Sequence, residues 1–231
     1  MAQLTVHAPR GATLLGGGEL APQDLAEALT HAPDLVAADS GAAAALAAGL
    51  MPRAVIGDMD SLTLADQSRL APGILHHVPE QDSTDFDKVM ARIDAPFALG
   101  VGFLGARVDH QLAGMNTLVR NAHLPCLLVG AFDIIFVAPR EATIALSEGT
   151  RVSLFPLAPI SGRSEGLHWP IKGLAMTPAG QHGTSNRVAA GQSAIRLSVD
   201  APGLLVILPR AALAAALRAL RDAPPWPSPA P

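Results

Sequence analysis

Ala54-Val55-Ile56-Gly57-Asp58-Met59-Asp60-Ser61 is the stretch whose reading decides the fold. A short apolar run ends in a glycine and two carboxylates two residues apart. In extended backbone, side chains at i and i+2 lie on one side, so Asp58 and Asp60 face the same way. Two like charges held together are costly unless a cation neutralises them. Paired oxygen ligands suit Mg2+, which keeps several waters and also takes phosphate oxygens. A solvated turn is the plainer alternative, and the metal reading is the favoured one.

The same arrangement recurs on both sides of this stretch. Leu35 to Ala38 is an apolar run that ends in Asp39-Ser40-Gly41, where Asp39 reads equally as a helix cap and as a ligand-facing carboxylate. Ile74 to Val78 leads to Gln81-Asp82-Ser83-Thr84-Asp85-Phe86-Asp87-Lys88, with more acids than capping a helix requires. Thr84 with Asp87 three residues later predicts a helix start. Ala98 to Leu104 runs into Gly105-Ala106-Arg107-Val108-Asp109-His110. There Arg107 can hold phosphate bidentately, and Asp109 orients His110 or caps the next helix; a structural Arg–Asp pair is the competing view. Thr13 to Leu15 precedes Gly16-Gly17-Gly18, a weak phosphate-loop signal that also fits a plain tight turn.

Helical patterns lie between these runs, at Pro22 to His31, Ala42 to Gly49, Thr63 to Leu70, Thr84 to Ile93 and His110 to Asn121. With Cys126 to Val129 as a sixth strand, the alternation predicts an α/β domain over residues 1–130. It is a Rossmann-like parallel sheet with flanking helices, with ligands at the carboxyl ends of the strands. Beyond Gly130 short runs appear at Asp133 to Val137, Thr143 to Leu146, Arg151 to Phe155, Ser193 to Val199 and Leu204 to Leu208, punctuated by Gly and Pro. They predict an antiparallel β-sandwich or barrel over 131–222, closed by a helix at Ala211 to Arg221. Residues 223–231 hold five prolines and read as an extended or disordered tail.

Composition narrows the function classes. Half of the 231 residues are apolar (49%) while aromatics are 3% and Tyr is absent, so the core is built of Ala, Leu, Val and Ile. No apolar run is long enough to span a bilayer, and Met1 to Thr5 show no secretory pattern. The net charge of −4 argues against a nucleic-acid partner. It is concentrated: Asp39 to Asp109 carry ten acids against five bases, which suggests a bound cation, metallic or organic. Solvated helix ends are the bland alternative. The single cysteine, Cys126, cannot form an internal disulfide and fits a reducing cytosol. Trp169 reads as a sandwich-core or interface residue, with a ligand platform as the alternative, and Trp226 carries no assignment.

In order and content, the acidic segments resemble the thiamine pyrophosphokinase (thiamine diphosphokinase) family. Its pattern runs Asp-Gly-Gly-Ala, then Gly-Asp-Phe-Asp-Ser, then Gln-Asp-x-Thr-Asp-Phe-x-Lys, then Gly-Gly-Arg-x-Asp-His. Further on, Gly166-Leu167-His168-Trp169-Pro170 resembles a Gly-Leu-x-Trp/Tyr-Pro segment, and Gly183-Thr184-Ser185-Asn186 a Gly-x-Ser-Asn turn. The resemblance implies an N-terminal α/β domain that binds ATP and Mg2+, a C-terminal thiamine-binding sandwich, and a homodimer with thiamine at the subunit interface. It also implies transfer of a pyrophosphoryl group from ATP to the thiamine hydroxyl. On this reading Asp58, Asp60 and Asp85 hold Mg2+, and Asp39 is a further ligand or a thiamine contact. Gln81, Asp82, Thr84 and Lys88 fix the nucleotide or orient the acidic loop. Arg107 holds phosphate, Asp109 supports the loop, and Ser185 and Asn186 bond the aminopyrimidine. The chain departs from the pattern at Ser40, Met59 and Ala106, at Gly114 where the family usually has Asn, and at Arg187, where some members have a stacking aromatic. A pyrophosphokinase acting on a hydroxymethylpterin and a non-catalytic binding module are the alternatives.

Overall fold

The computed structural model describes residues 6–105 and 107–228. The expected absence of a secretory pattern at residues 1–5, position 106 and the last three residues of the expected tail lie outside the described residues. In chain order the elements begin β1 (Val6–His7), β2 (Ala12–Leu15), α1 (Pro22–His31), β3 (Asp34–Ala38), α2 (Gly41–Ala47), β4 (Ala54–Gly57), α3 (Leu64–Arg69) and β5 (Leu75–His77). There follow α4 (Asp85–Met90), β6 (Ile93–Asp94), β7 (Ala98–Val101), α5 (Val108–Arg120) and β8 (Cys126–Val129). The remainder is β9 (Asp133–Val137), β10 (Glu141–Ala145), β11 (Arg151–Pro156), β12 (Ile160–Glu165), β13 (Lys172–Met176), β14 (Gly183–Arg187), β15 (Ala194–Val199), β16 (Leu204–Pro209) and α6 (Leu213–Asp222). Among the described residues, no helix is long and apolar enough to cross a membrane.

The chain divides into two compact units: the described residues through Thr117 with Leu128–Ala131, and Leu118–Leu127 with those from Phe132 onward. In the first, parallel strands pair in the order β7-β2-β3-β4-β5. Every residue of β2, β3, β4 and β7 is buried, as expected of a parallel sheet covered on both faces. The alanine-rich α2 suits close packing. Ala42 and Leu46 join Ala37, Val55, Leu62 and Leu70 in one apolar cluster, with Met59 packed against it. Gly41 opens that helix because a Cβ there would overlap the Leu15 carbonyl.

The second unit is antiparallel. One group of strands runs β9-β16-β11-β14 and another β10-β15-β12-β13. β10 and β15 alternate buried and exposed residues, whereas β9 and β16 are almost wholly buried. β12, β13 and β14 were not expected from the sequence. β12 and β14 are largely polar, β13 leaves four of its five residues exposed, and β13 and β14 end their rows, so pairing with a neighbour rather than a buried apolar face makes them strands. Residues 223–228 form no helix or strand, but they are not free of the unit. Trp226 is buried and donates its indole N–H to the Ala138 carbonyl at 3.0 Å.

Candidate active site

The loops after β2, β3, β4, β5 and β7 all leave the carboxyl ends of the parallel strands, where open α/β sheets bind ligands. Asp39 follows β3 directly and is 1% exposed. Its backbone is left-handed (φ 37°), as is that of Met59 (φ 64°). Such conformations are disfavoured for residues with a Cβ and collect at functional sites. Gly57 permits the close approach of these loops. A Cβ at Gly57 would come within 2.7 Å of the Asp39 Cβ and 3.2 Å of Asp85 Oδ1. Met59 turns its side chain into the apolar cluster, which anchors the loop between the two carboxylates beside it.

Three carboxylates converge. Asp39, Asp58 and Asp60 each offer an oxygen, all within 4.8 Å of one another. Asp39 Oδ1 is buried without a hydrogen-bond partner among the described residues. Burial pushes the Asp39 carboxyl up to about 6, helped by the charges of Asp85, Asp58 and Asp60 and opposed by a Ser61 N–H. A buried oxygen with no partner, beside two further hard oxygen donors, fits a divalent cation such as Mg2+.

Asp58 is held differently. Its Oδ2 accepts from Gln81 Nε2 (3.0 Å) and from Lys88 Nζ (3.1 Å), and its Oδ1 from the Asp60 N–H (3.3 Å). Burial acts to raise its pKa, but Lys88, the Asp60 N–H and Gln81 outweigh it and keep Asp58 below the usual carboxylate range. Lys88, 2% exposed, also donates to Asp85 Oδ1 at 3.1 Å. Asp85 stands above its ordinary value, chiefly through burial, although Lys88 opposes the shift. Lys88 thus ties the end of β4 to the first turn of α4. The three carboxylates drawn together include Asp39, whereas Asp85 is the ammonium partner at their edge.

The neighbouring polar residues shape the loop. Thr84 caps α4: its Oγ1 accepts the Asp87 N–H, and Asp87 Oδ2 accepts both the N–H and the hydroxyl of Thr84. The backbone N–H of Asp82 donates to Glu80, which also accepts from Ser83, and the Asp82 side chain is exposed. Arg107 and Asp109 form a bidentate pair at 3.2 and 2.6 Å, both exposed. The glycine run carried only a weak sequence signal, yet it proves structurally committed. Gly16 donates to the Val101 carbonyl and Gly18 to the Gly102 carbonyl, each at 2.9 Å. A Cβ on Gly16 or Gly18 would meet the Gly102 oxygen at 2.5 or 2.6 Å.

In the second unit, Ser185 is left-handed (φ 59°) and its N–H donates to Ser153 Oγ at 3.1 Å. Asn186 is 5% exposed. Its Oδ1 accepts from the N–H groups of Trp169 (3.2 Å) and Arg187 (2.8 Å), and its Nδ2 donates to the Trp169 carbonyl (2.7 Å). The geometry therefore makes Asn186 a clamp on Trp169 rather than a residue held open for a ligand. Trp169 is not in a core; it is 55% exposed, with His168 edge-on at 4.4 Å and the Arg187 guanidinium over its ring at 5.1 Å. It borders a cleft of about 340 Å³ with Leu174, Met176, His182 and Thr184. Its exposure removes the sandwich-core reading and leaves an interface or a ligand platform.

Two family models match the chain: "Thiamin pyrophosphokinase, catalytic domain" over residues 25–133 and "Thiamin pyrophosphokinase, vitamin B1 binding domain" over 135–204. Thiamine pyrophosphokinase 1 of rice (Oryza sativa subsp. japonica) is 29% identical over 168 residues, covering 64% of this chain and 63% of that protein. Thiamine pyrophosphokinase 1 of Arabidopsis thaliana is 29% identical over 156 residues, covering 59% of this chain and 58% of that protein. The matched segments thus span less than two thirds of these plant relatives. Among solved structures, a thiamin pyrophosphokinase from Candida albicans superposes with a TM-score of 0.72 at 15% identity, covering 90% of this chain and 96% of the other. One from Bacillus subtilis gives 0.68 at 22% identity, covering 86% and 98%. At these identities the superpositions establish the fold.

Proposed function

From the premise that the chain belongs to the thiamin pyrophosphokinase family, we propose that it transfers the pyrophosphoryl group of ATP to the hydroxyl of thiamine. The hydroxyl oxygen forms a bond to the β-phosphorus, the bond from that phosphorus to the oxygen of the α-phosphate breaks, and AMP leaves. The hydroxyl proton passes to solvent or to a carboxylate. Such chemistry asks the protein mainly for positioning and charge neutralisation.

The observation that carries this reading is the orphaned, buried Asp39 Oδ1 beside Asp58 and Asp60. Asp39, Asp58 and Asp60 would hold Mg2+, with Asp85 close by. Once bound, that ion would neutralise phosphate charge and polarise the transferred group. Lys88 and Gln81 fix the direction of Asp58, and Thr84 fixes the start of α4. The exposed Arg107, released from Asp109, is the phosphate-holding cation. The glycine loops offer backbone N–H groups and close approach to the phosphates. The acceptor belongs beside Trp169, whose face already attracts the Arg187 cation and would equally suit a cationic thiazolium. Ser185 keeps its hydroxyl for the aminopyrimidine, while Asn186 sets the Trp169 backbone. Family resemblance adds a homodimer with thiamine at the interface, and the one buried cysteine suits a reducing cytosol.

Incubation of the purified protein with ATP, Mg2+ and thiamine should yield AMP and thiamine diphosphate in equal amounts. ADP in place of AMP would rule out pyrophosphoryl transfer. Product formation with a hydroxymethylpterin but not with thiamine would move the acceptor assignment.

A further inference from the structure

Phe103 is a residue that no motif singles out. It lies in the loop after β7, at Gly102-Phe103-Leu104-Gly105, and its ring meets three other parts of the first unit. Its centroid lies 4.2 Å from that of Phe86, tilted by 31°. Phe86 is 4% exposed in the first turn of α4, between Asp85 and Asp87 and two residues before Lys88. The same ring covers two glycines. A Cβ on Gly16 would meet Phe103 Cδ1 and Cε1 at 2.8 Å, and one on Gly100 would meet its Cδ2 at 3.1 Å. Gly16 begins the glycine loop after β2. Phe103 is flanked by Gly102 (φ 75°), which no ordinary residue adopts cheaply and which accepts the Gly18 N–H.

We propose that Phe103 is the positioning residue that locks the two glycine loops and the acidic first turn of α4 into one arrangement. Without its ring, the space over Gly16 and Gly100 is empty and Phe86 loses its aromatic partner. The helix that presents Asp85 and Lys88 then loses its ring contact with the glycine loop after β7. Outer residues that orient ligands typically alter metal affinity by about 10- to 100-fold when changed. This inference rests on the proposed function for its ligand, Mg·ATP, but not for its geometry.

The test compares the full chain with Phe103→Ala, Phe103→Leu, Phe86→Leu and the Phe103→Leu/Phe86→Leu pair. Leu35→Ala, a buried change near the start of β3 and at the opposite end of that strand from Asp39, is the control for destabilisation alone. Mg·ATP binding is read by calorimetry, KM and kcat by AMP release, and stability by thermal melting. Phe103→Ala should weaken Mg·ATP binding about tenfold or more. KM for ATP should rise with it, while KM for thiamine stays within about twofold, and Phe103→Leu should recover part of the loss. The two Leu substitutions should combine less than additively in Mg·ATP affinity, because each removes the same contact. If Phe103→Ala does not fold, Phe103→Leu and the cycle carry the decision. Unchanged Mg·ATP affinity in folded variants, or a loss no greater than that of Leu35→Ala at equal melting temperature, overturns the proposal. Wild-type protein that binds Mg·ATP, loses that binding in Phe103→Ala and forms no thiamine diphosphate would sink the proposed function while leaving this inference standing. Wild-type protein that binds no Mg·ATP overturns both.

Discussion

Asp39 in the first unit and Asn186 in the second are both almost fully buried, at 1% and 5% exposure, and both stand beside unusual backbone. Their polar atoms are treated in opposite ways. Asn186 spends its oxygen on two backbone N–H groups and an amide hydrogen on a carbonyl. Asp39 leaves Oδ1 with no partner and has three other carboxylates around it. β3 sharpens the contrast, because its first residue is Asp34, equally buried but bonded by Arg10 at 2.9 Å and by Arg53 at 2.9 Å. A folded chain ordinarily satisfies its buried polar groups. A carboxylate left unsatisfied at the ligand-binding end of a strand, when an identical one at the other end is paired, marks the place where something else is meant to bind.

Substituting Asp39 tests this difference most severely. Asp39→Asn should lower kcat on the order of 100- to 1,000-fold and yet stabilise the metal-free protein. An acid whose value is raised to about 6 from 3.8 binds a proton more readily folded than unfolded. It therefore penalises the fold above pH 6, and that penalty is relieved as pH falls towards 3.8. The gain from Asp39→Asn should be about 1–3 kcal/mol at pH 8 and should fade on acidification; denaturant melts at several pH values measure it. A less stable Asp39→Asn protein at pH 8 would mean that the carboxylate is structural, and the contrast would collapse.

Asn186→Ala should behave in the reverse sense, losing about 1–2 kcal/mol of stability because the partly buried backbone groups of Trp169 lose their partners. KM for the acceptor should rise more than kcat falls, since the change loosens the Trp169 platform and leaves the carboxylates alone. Thermal melting with steady-state kinetics separates the two effects. A variant with normal stability and a collapsed kcat would return Asn186 to direct ligand contact.

Asp34→Asn should cost about 1–2 kcal/mol at neutral pH. Burial would raise the Asp34 carboxyl, but Arg10 and Arg53 outweigh it and hold it below 3.8. Its contribution is therefore present above the unfolded value and is lost as pH falls through the lower folded one. Wild type and Asp34→Asn should thus converge in stability in strong acid, with activity near normal in the variant at pH 7. The smallest effect is expected at Gly114, inside α5, where a Cβ would meet Leu128 Cδ1 at 3.6 Å and the Phe103 oxygen at 3.7 Å. Those are ordinary contacts, so Gly114→Ala should stabilise by about 0.5–1 kcal/mol, read as a small rise in melting temperature at unchanged activity.

The expected strands of the first unit and the helix start at Thr84 were legible because they rest on local rules: apolar runs, a capping box, and acids where runs end. Even there the structure trimmed them. The run from Ala98 stops at Val101, because Gly102 turns left-handed, and the helix from Thr84 ends at Met90. β12, β13 and β14 were not legible, since glycine-containing strands that stay largely exposed carry no long apolar run of their own. Nor was the sharing of work within the site. The family resemblance grouped Asp85 with Asp58 and Asp60; in the fold Lys88 bonds both Asp85 and Asp58, and Asp39 lies with Asp58 and Asp60.

By itself the sequence determined the chemistry available to this protein: its strand-end carboxylates, its glycine turns, its single lysine among acids and the family motifs they compose. Tertiary structure alone decided that Asp39 keeps one buried oxygen without a partner, which glycine lets two loops touch, that Phe103 matters at all, and that Trp169 stands exposed. The physical reason is one of range. Propensity, capping and polarity act between residues close in the chain. Desolvation, charge crowding and ring contact depend on neighbours that only folding brings within a few ångströms.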